Sequence, residues 1–478
     1  MLRRDFMKRT VAGAAAFGGV SMFEHVLPVE VQAKGAGGGM GIAEGLDLID
    51  KGRERNYIPE IRAEILNNPR AVFLIETHVD AERDGKGFFL DAQQQLYDTG
   101  HDVVSRLFVR GTKRGGSTLI KPNFTDVPDS VLSPVVGINT SPDFIAGFMH
   151  GLNELGNTNV LVGERGASYE NHMKMGTYEV FEKFNVPLVE AKYPKFKDYD
   201  KKELNWHKVP GTPVIWNRIP TIRPIGDEDN VFINMPKLKC HNLGLTTLSI
   251  KNLQGSVPTG YGHYCNSWSD LESLVKRTYQ VDWDYFEKDY YQTVEAGFLK
   301  HRAAGFKYWD YEDSYAKYVA KGGWEAFKKV KDDSKARKEF MSDLPRLMWD
   351  EQWCQRALDS ASAITPDINI IEGVIGRDGS GFDTGRDELS NVIVAGLSMT
   401  EVDSVGSYIM GHDPRKVYYT RIASERGLGK CDIDRIDIYW IRDNGEIEPL
   451  KDLSEIKRTP FGVNIHTWKE TNKRLFWD

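Results

Sequence analysis

The sequence predicts an α/β protein with a mostly parallel β-sheet, flanked by helices and interrupted by a helical, aromatic-rich insertion. Short apolar runs with the length of buried strands alternate along the chain with longer patterns of helical period. This alternation favours a mostly parallel sheet with helices on both faces. The predicted strands are Val72–Glu76, Ser117–Lys121, Val160–Gly163, Pro187–Glu190, Val231–Asn234, Ile368–Gly373, Val392–Ala395 and Ile436–Trp440.

The clearest predicted helix begins at Ser141, which is followed by Pro142 and Asp143. A serine can cap the first free amides, a proline suits the first helical position, and an acid is favourable in the first turn. Gly156 is a typical stop for this helix. The apolar face consists of Phe144, Ile145, Phe148, Met149, Leu152 and Leu155. Two further helices are predicted, from near Thr400 to Gly411 and from Asp413-Pro414 to Gly427 or Gly429.

Residues 266–360 break this rhythm, because they are rich in Trp, Tyr, Lys, Asp and Glu and contain few β-branched runs. We interpret them as a helical insertion with a small satellite core. The alternatives are a lid over the functional site or a contact between subunits. The α/β core is therefore assigned to residues 71–265 and 361–440, and residues 441–478 to a C-terminal extension.

The first 33 residues resemble a twin-arginine signal peptide. Arg3 and Arg4 precede Asp5, Phe6, Met7 and Lys8, and a mildly apolar run and a small-residue cleavage pattern at residues 31–33 follow. We expect export in the folded state by the twin-arginine translocase, to the periplasm or another extracytoplasmic compartment. The alternative is a disordered basic N-terminus. Residues 34–70 are glycine-rich at their start and are predicted to be a flexible lead-in.

Charge and composition exclude several classes of protein. The chain has 478 residues and a formal net charge of −7, and its first 33 residues carry four basic and three acidic side chains, which leaves −8 for the remainder. An acidic chain without a basic run argues against a nucleic-acid partner. No later segment has 18 consecutive apolar residues, so no transmembrane span is expected in the mature chain. The four cysteines contain no C-x-x-C pair, so no ferredoxin-type iron–sulfur cluster is expected.

The densest concentration of chemically useful residues follows the predicted strand Val231–Asn234. It contains Lys239 and His241, and then Lys251 and Asn252 in the segment TLSIKNLQG. Ligands of open α/β sheets bind beyond the carboxyl ends of strands. Ammonium groups supply charge and hydroxyl and amide groups supply directional hydrogen bonds, so these residues suit a small anionic ligand. The alternative is a solvated loop with surface lysines.

Histidine and cysteine recur shortly afterwards. His263 and Cys265 could join Cys240 and His241 as two nitrogen and two sulfur ligands of a metal ion. Their spacing is not that of a known zinc module, and a buried free cysteine with a hydrogen-bonded histidine is the favoured alternative. The sequence identifies no cofactor, and His241 and His263 are the candidate metal ligands.

Other candidate ligand-binding residues also lie at strand or helix ends. Lys121 ends the run STLIK, and Gly379 and Gly381 lie in the glycine-rich segment after the strand INIIEG. Glycine backbones permit close approach of a ligand, and their amides can bind a carboxylate or phosphate. A plain glycine-rich turn is the alternative. Asp403 lies at a predicted helix start, where an acid is usually a cap or dipole partner.

These motifs, in this order, resemble the family called domain of unknown function 362. The resemblance rests on LIKPNF, VLVGE, MPKLKCH with TLSIKNLQG, His263, EGVIGRDGSGFDTG and VDSVGSYIMGHDP, and covers about residues 71–440 outside the insertion. It implies that the recurrent positions of the family correspond here to Lys121, Lys239, His241, Lys251, Asn252, His263, Gly379, Gly381 and Asp403. Cys240 departs from the family pattern, and the cysteine module of many members is missing here.

The segment PKLKCH…SIKNLQG also resembles, more distantly, a loop of nickel-pincer lactate racemase relatives. That resemblance implies acid–base roles for His241 and His263, and binding of anionic groups by Lys239 and Lys251. We therefore expect a metal- or cofactor-assisted enzyme that acts on a small anionic molecule, with His241, His263 and Lys251 as catalytic residues. The alternative is a non-catalytic binding protein, or an accessory or assembly protein of an extracytoplasmic redox system. The sequence does not indicate an oligomeric state.

Overall fold

The computed structural model describes most of the predicted α/β core. The described residues are 56–82, 92–113, 115–125, 137–164, 204–211, 218–241, 244–257, 357–381 and 385–465, with short pieces between 172 and 190, between 320 and 354, and at 473–475. The predicted signal peptide, His263, Cys265 and nearly all of the predicted insertion at 266–360 lie outside these residues. In the part of the chain that the structure describes, no helix is long and apolar enough to cross a membrane.

Seventeen strands and six α-helices are defined in these residues. The strands are β1 Glu60–Ile61, β2 Val72–Glu76, β3 Phe108–Val109, β4 Thr118–Pro122, β5 Val160–Glu164, β6 Leu188–Glu190, β7 Leu204–Lys208, β8 Arg218–Ile222, β9 Val231–Met235, β10 Lys237–His241, β11 Leu245–Thr246, β12 Ile368–Arg377, β13 Asp387–Gly396, β14 Ile438–Ile441, β15 Ile447–Pro449, β16 Val463–Ile465 and β17 Lys473–Leu475. The helices are α1 Ala63–Leu66, α2 Gln93–Leu107, α3 Pro142–Glu154, α4 Ser249–Asn252, α5 Met399–Ile409 and α6 Tyr418–Glu425.

A mixed, mostly parallel sheet of eleven strands forms the centre of the described structure. Nine strands follow the order β15-β14-β2-β13-β12-β9-β4-β5-β6, and β10 and β11 join through β12. Six of the ten strand pairs are parallel. The predicted α/β class is therefore confirmed, and each of the eight predicted strands corresponds to a strand of this sheet.

Both faces of the sheet are covered, as the apolar strands require. Phe73 and Ile75 of β2 face a core that includes the apolar sides of α2 and α3. Val72 and Leu74, the alternate residues of the same strand, face a second core that includes α5. The predicted start of α3 is confirmed, because the Ser141 hydroxyl accepts a hydrogen bond of 3.4 Å from the Phe144 amide.

Successive parallel strands are added on one side of β4 and then on the other, so β4 and β9 form a topological switch point. The chain runs from β4 through α3 to β5, which lies on one side of β4, and β6 follows beside β5. It later returns to place β9 on the other side of β4. Such a switch point leaves a crevice beyond the carboxyl ends of the two strands, where open α/β sheets bind their ligands.

The folded core extends beyond the predicted boundaries at both ends. Residues 56–70 were expected in the flexible lead-in, but β1 pairs with β3, and Asn56 is buried and donates to the Gly116 carbonyl at 2.6 Å. At the other end, β15 pairs with β14 inside the central sheet, beyond residue 440. Both segments are short and lack a strong apolar period, so tertiary pairing, rather than local pattern, orders them.

Candidate functional site

Charged and amide side chains converge at the switch point between β4 and β9. Lys121 lies next to the carboxyl end of β4 and is in register with Asn234 of β9. Glu164 is the last residue of β5, beside β4. All three side chains are buried. The sheet topology therefore brings together polar groups that are far apart in the sequence.

Lys121 and Glu164 form a buried ion pair, which the sequence analysis did not predict. The Lys121 ammonium donates to Glu164 Oε2, to the Pro122 carbonyl at 2.7 Å and to Asn252 Oδ1 at 3.2 Å. The same Glu164 oxygen accepts from the Phe124 amide at 3.2 Å. A Cβ on Gly255 would lie 2.3 Å from Glu164 Oε1. Glycine at this position therefore allows the main chain to close over the pair.

A chain of asparagines extends from this pair across the sheet. Asn252 Nδ2 donates to Asn234 Oδ1 at 2.8 Å, and Asn234 Nδ2 donates to Asn369 Oδ1 at 2.8 Å. Asn123 donates to Asn252 Oδ1 at 3.1 Å. Because every amide donates to the next, the network fixes the orientation of the Asn252 side chain. Asn252 lies where the sequence predicted a binding residue, and here it bridges β4 and β9.

The segment after β9 is a second, fully buried strand, so the alternative of a solvated loop with surface lysines is wrong. Pro236 separates β9 from β10, and β10 continues along β12, with Lys237 beside Glu372 and Lys239 beside Arg377. Proline lacks the backbone N–H that a strand ladder requires. Along β10, Leu238 and Cys240 enter the second core. The alternate side chains of Lys237, Lys239 and His241 therefore share the opposite face.

Lys237 is neutralised by a carboxylate from the neighbouring strand. Its ammonium donates to Glu372 Oε2, and both side chains are buried. Glu372 also accepts from the Ser141 amide at 3.3 Å and from the Val374 amide at 3.1 Å. The amino end of α3 thus lies against this ion pair.

Lys239 is buried, but no described carboxylate lies within ion-pair distance of it. Its ammonium donates to the Ile138 carbonyl at 2.7 Å. Burial holds the pKa of Lys239 well below its usual value, and the positive charges of Lys251, Lys237 and Arg377 lower it further, against the opposing effect of Glu164. The surroundings of Lys239 therefore favour an added negative charge.

Asp403 positions the segment that carries Lys251 and Asn252. Its two carboxylate oxygens accept from the Ser249 amide at 2.7 Å and from the Ile250 amide at 2.9 Å, at the start of α4. Burial raises the pKa of Asp403 to about 7, although these hydrogen bonds oppose the shift. Its described contacts are those of a helix cap, and its predicted role in ligand binding stays a prediction.

The glycine-rich loop packs against the end of β10. Gly381 has φ of +83°, and a Cβ there would lie 1.9 Å from the Cys240 carbonyl oxygen. The Gly379 amide donates to the Gly462 carbonyl at 2.6 Å, and the Gly381 amide donates to the Asp378 carbonyl at 3.2 Å. Both amides thus donate to backbone carbonyls of the protein in this structure. The ligand-binding role of these glycines remains a prediction.

Several polar residues near the site were not among the predicted site residues, although three of them end or alternate with an apolar strand pattern. Glu164 and Arg377 each end an apolar strand, and Lys237 alternates with apolar residues in KLKCH. Arg377 Nη1 donates to Asp387 Oδ1 at 2.9 Å in a third buried ion pair. His412 was missed as well, and its Nε2 lies 3.9 Å from Cys240 Sγ.

The structure brings together most, but not all, of the predicted site. Lys121 and Asn252 are joined by a hydrogen bond. The positive charge of Lys251 lowers the pKa of Lys239. His241 lies two residues beyond Lys239 on the same strand. His263 lies outside the described residues. Among the residues with described positions, His241 belongs to no group of three potential metal ligands. Its role as a metal ligand therefore stays a prediction.

His412 gives a testable dependence of stability on pH. Burial lowers the pKa of His412 from about 6.5 to about 4, so between these values the unfolded chain binds a proton that the native ring does not. The free energy of unfolding should therefore fall by up to about 3 kcal/mol as the pH falls from 6.5 to 4. His412→Gln should lack this decline, as measured by urea unfolding across this pH range. His78→Gln, at an exposed histidine, is the control, and parallel curves for wild type and His412→Gln would contradict the prediction.

Comparison with known proteins gives one result. The family model described as "Domain of unknown function (DUF362)" matches residues 118–408, which is more than half of the chain and extends from β4 into α5. Neither the curated proteins nor the solved structures gave a significant match.

Proposed function

Because this chain belongs to the DUF362 family, whose description names no activity, we propose its function from the site itself: it binds a small anionic molecule beside Lys239. The observation that carries the proposal is the buried ammonium of Lys239, which lacks a described carboxylate and is surrounded by Lys251, Lys237 and Arg377. An unpaired buried charge is costly, and a bound anion would compensate it.

A second group near the site also requires a partner. Gln254 is buried, and neither its amide nitrogen nor its amide oxygen has a hydrogen-bond partner among the described residues. It precedes Gly255, which closes over the Lys121–Glu164 pair. Buried amides are nearly always hydrogen-bonded, so a ligand with both donor and acceptor groups is favoured over a simple ion.

We further propose that the site is catalytic and that His241 moves a proton to or from the bound anion. The alternation of β10 gives His241 the same face as Lys239, which supports this role. His263 and Lys251 complete the proposed catalytic set, and a metal ion or cofactor would assist it. The distant similarity to lactate racemase relatives suggests 2-hydroxycarboxylates as a substrate class. The arginine pair at the N-terminus supports export through the twin-arginine pathway.

The test is a binding and metal assay on protein exported by a host with a working twin-arginine system and purified without oxygen. Calorimetry with inorganic phosphate and with lactate should show binding that Lys251→Met weakens at least about tenfold, because a lost charge-assisted contact is worth about 1.5–3 kcal/mol. Mass spectrometry and a visible spectrum identify any metal or chromophore. A colourless, metal-free protein that binds anions would favour the non-catalytic binding or assembly role. Absence of anion binding would overturn the proposal.

A further inference from the structure

Helices α2 and α3 pack unusually closely, away from the anionic site. A Cβ on Gly100 would lie 2.0 Å from the Phe144 carbonyl oxygen, and one on Gly147 would lie 1.8 Å from the Tyr97 carbonyl oxygen. A Cβ on Gly151 would lie 2.8 Å from Val104 Cβ. Only glycine permits such contact between two helix backbones. The side chains next to these glycines are therefore brought face to face across the helix pair.

Two histidines and a glutamate meet at this contact. His101 Nε2 lies 3.0 Å from Glu154 Oε2, and His150 Nε2 lies 3.6 Å from Glu154 Oε1. His150 and Glu154 are one helical turn apart on α3, and His101 comes from α2. One ligand atom from each of the three residues lies within 4.8 Å of the others. The two imidazoles thus direct the same type of nitrogen at one carboxylate.

Tyr97 orients one of these histidines. Its hydroxyl oxygen lies 2.7 Å from His150 Nδ1. With the proton on Nδ1, His150 donates to this oxygen, and the lone pair of Nε2 lies on the side of Glu154. Histidines that bind metals usually have their second nitrogen fixed in this way.

We propose that His101, His150 and Glu154 bind a divalent transition-metal ion, Zn²⁺ in the first place, between α2 and α3. Two imidazole nitrogens and one carboxylate oxygen are a recurrent three-ligand set for zinc, with water in the fourth position. Ligand atoms around a tetrahedral zinc lie about 3.3 Å apart, since the bonds are about 2.0–2.2 Å long. The three side chains, exposed by 37%, 32% and 57%, have room to close over this distance.

This site is independent of the proposed anionic site. The amino end of α3 contacts Glu372 through the Ser141 amide, whereas His150 lies nine residues farther along. At 1.5 Å per residue, about 13 Å of helix separates the two. The bound ion would join α2 to α3 and keep a water ligand open to solvent.

The experiment is titration of the metal-free full-length protein with Zn²⁺ by calorimetry, and with Co²⁺ by visible absorption. We expect one Zn²⁺ at this site and the d–d bands of tetrahedral Co²⁺. His101→Ala and His150→Ala should each weaken binding about 100-fold or more and abolish these bands. Tyr97→Phe should weaken binding about tenfold and keep the bands, since it removes only an orienting contact.

One control variant tests whether the binding is specific to this site. His78→Ala removes an exposed histidine that faces a single carboxylate, Asp443, at 3.7 Å, and should leave Zn²⁺ binding unchanged. Circular dichroism establishes that each variant folds. Unchanged Zn²⁺ binding in both His101→Ala and His150→Ala would overturn the proposal.

Discussion

Glu164→Ala should lower the free energy of unfolding by about 3–5 kcal/mol, because it leaves the buried Lys121 ammonium without its counter-charge. The Pro122 carbonyl and the Asn252 amide oxygen, which also accept from Lys121, carry no charge that could replace the carboxylate. The Phe124 amide would also lose its acceptor. Urea unfolding followed by circular dichroism measures the loss.

A matched control variant separates the effect of burial on stability from the effect of removing a charge. Glu448 pairs with Arg442 at 2.8 Å, but the two side chains are 46% and 42% exposed, so Glu448→Ala should cost less than about 1 kcal/mol. The double variant Lys121→Met/Glu164→Leu should recover most of the stability, because apolar residues of similar size can replace a buried pair. Equal effects of Glu164→Ala and Glu448→Ala would contradict the described pairing.

Lys239→Met should stabilise the ligand-free protein by about 1–3 kcal/mol while abolishing anion binding, because it replaces a buried amine, whose charged form burial disfavours, by an apolar side chain of similar length. The two opposite effects distinguish a ligand-binding lysine from a structural one, since a structural lysine would lose stability. Urea unfolding measures the first effect, and calorimetry with inorganic phosphate measures the second. Lys457→Met, at an exposed position, should change neither.

The lowered pKa of Lys239 adds a pH dependence to this prediction. A bound anion favours the charged ammonium, so binding should take up a proton, and the affinity for phosphate should fall as the pH rises. Calorimetry in buffers of different ionisation enthalpy detects this uptake. Loss of stability in Lys239→Met, or unchanged phosphate binding, would show that Lys239 is not the anion-binding group.

The arrangement around Lys239 explains why these two variants should behave differently. Three buried ion pairs, Lys121–Glu164, Lys237–Glu372 and Arg377–Asp387, surround or adjoin the site. Each pair is internally balanced, so removing one partner exposes a charge to a low-dielectric surrounding. Lys239 has no carboxylate partner among the described residues. Replacing it therefore removes a desolvation cost to the stability of the ligand-free protein.

The sequence alone determined the fold class and the positions of eight strands of the central sheet. Apolar period and length identify buried strands such as Val72–Glu76, and the cap at Ser141 identifies the start of α3, because these signals depend on neighbouring residues only. The motif lysines Lys121 and Lys239 were found for the same reason: each follows or alternates with an apolar run.

The tertiary structure alone decided which of these residues have partners. Glu164 lies 43 residues from Lys121, and Glu372 lies 135 residues from Lys237, so no local pattern links them. The strand β10 was missed because its extended conformation depends on pairing with β12, which follows it by more than 100 residues. The meeting of His101 with His150 depends on three glycines, Gly100, Gly147 and Gly151, that let the two helices touch. The hydrophobic period of the sequence identifies the strand or helix to which a residue belongs. Whether a buried charge is neutralised depends on side chains of the neighbouring strands, and only the order of strands in the sheet determines which strands are neighbours.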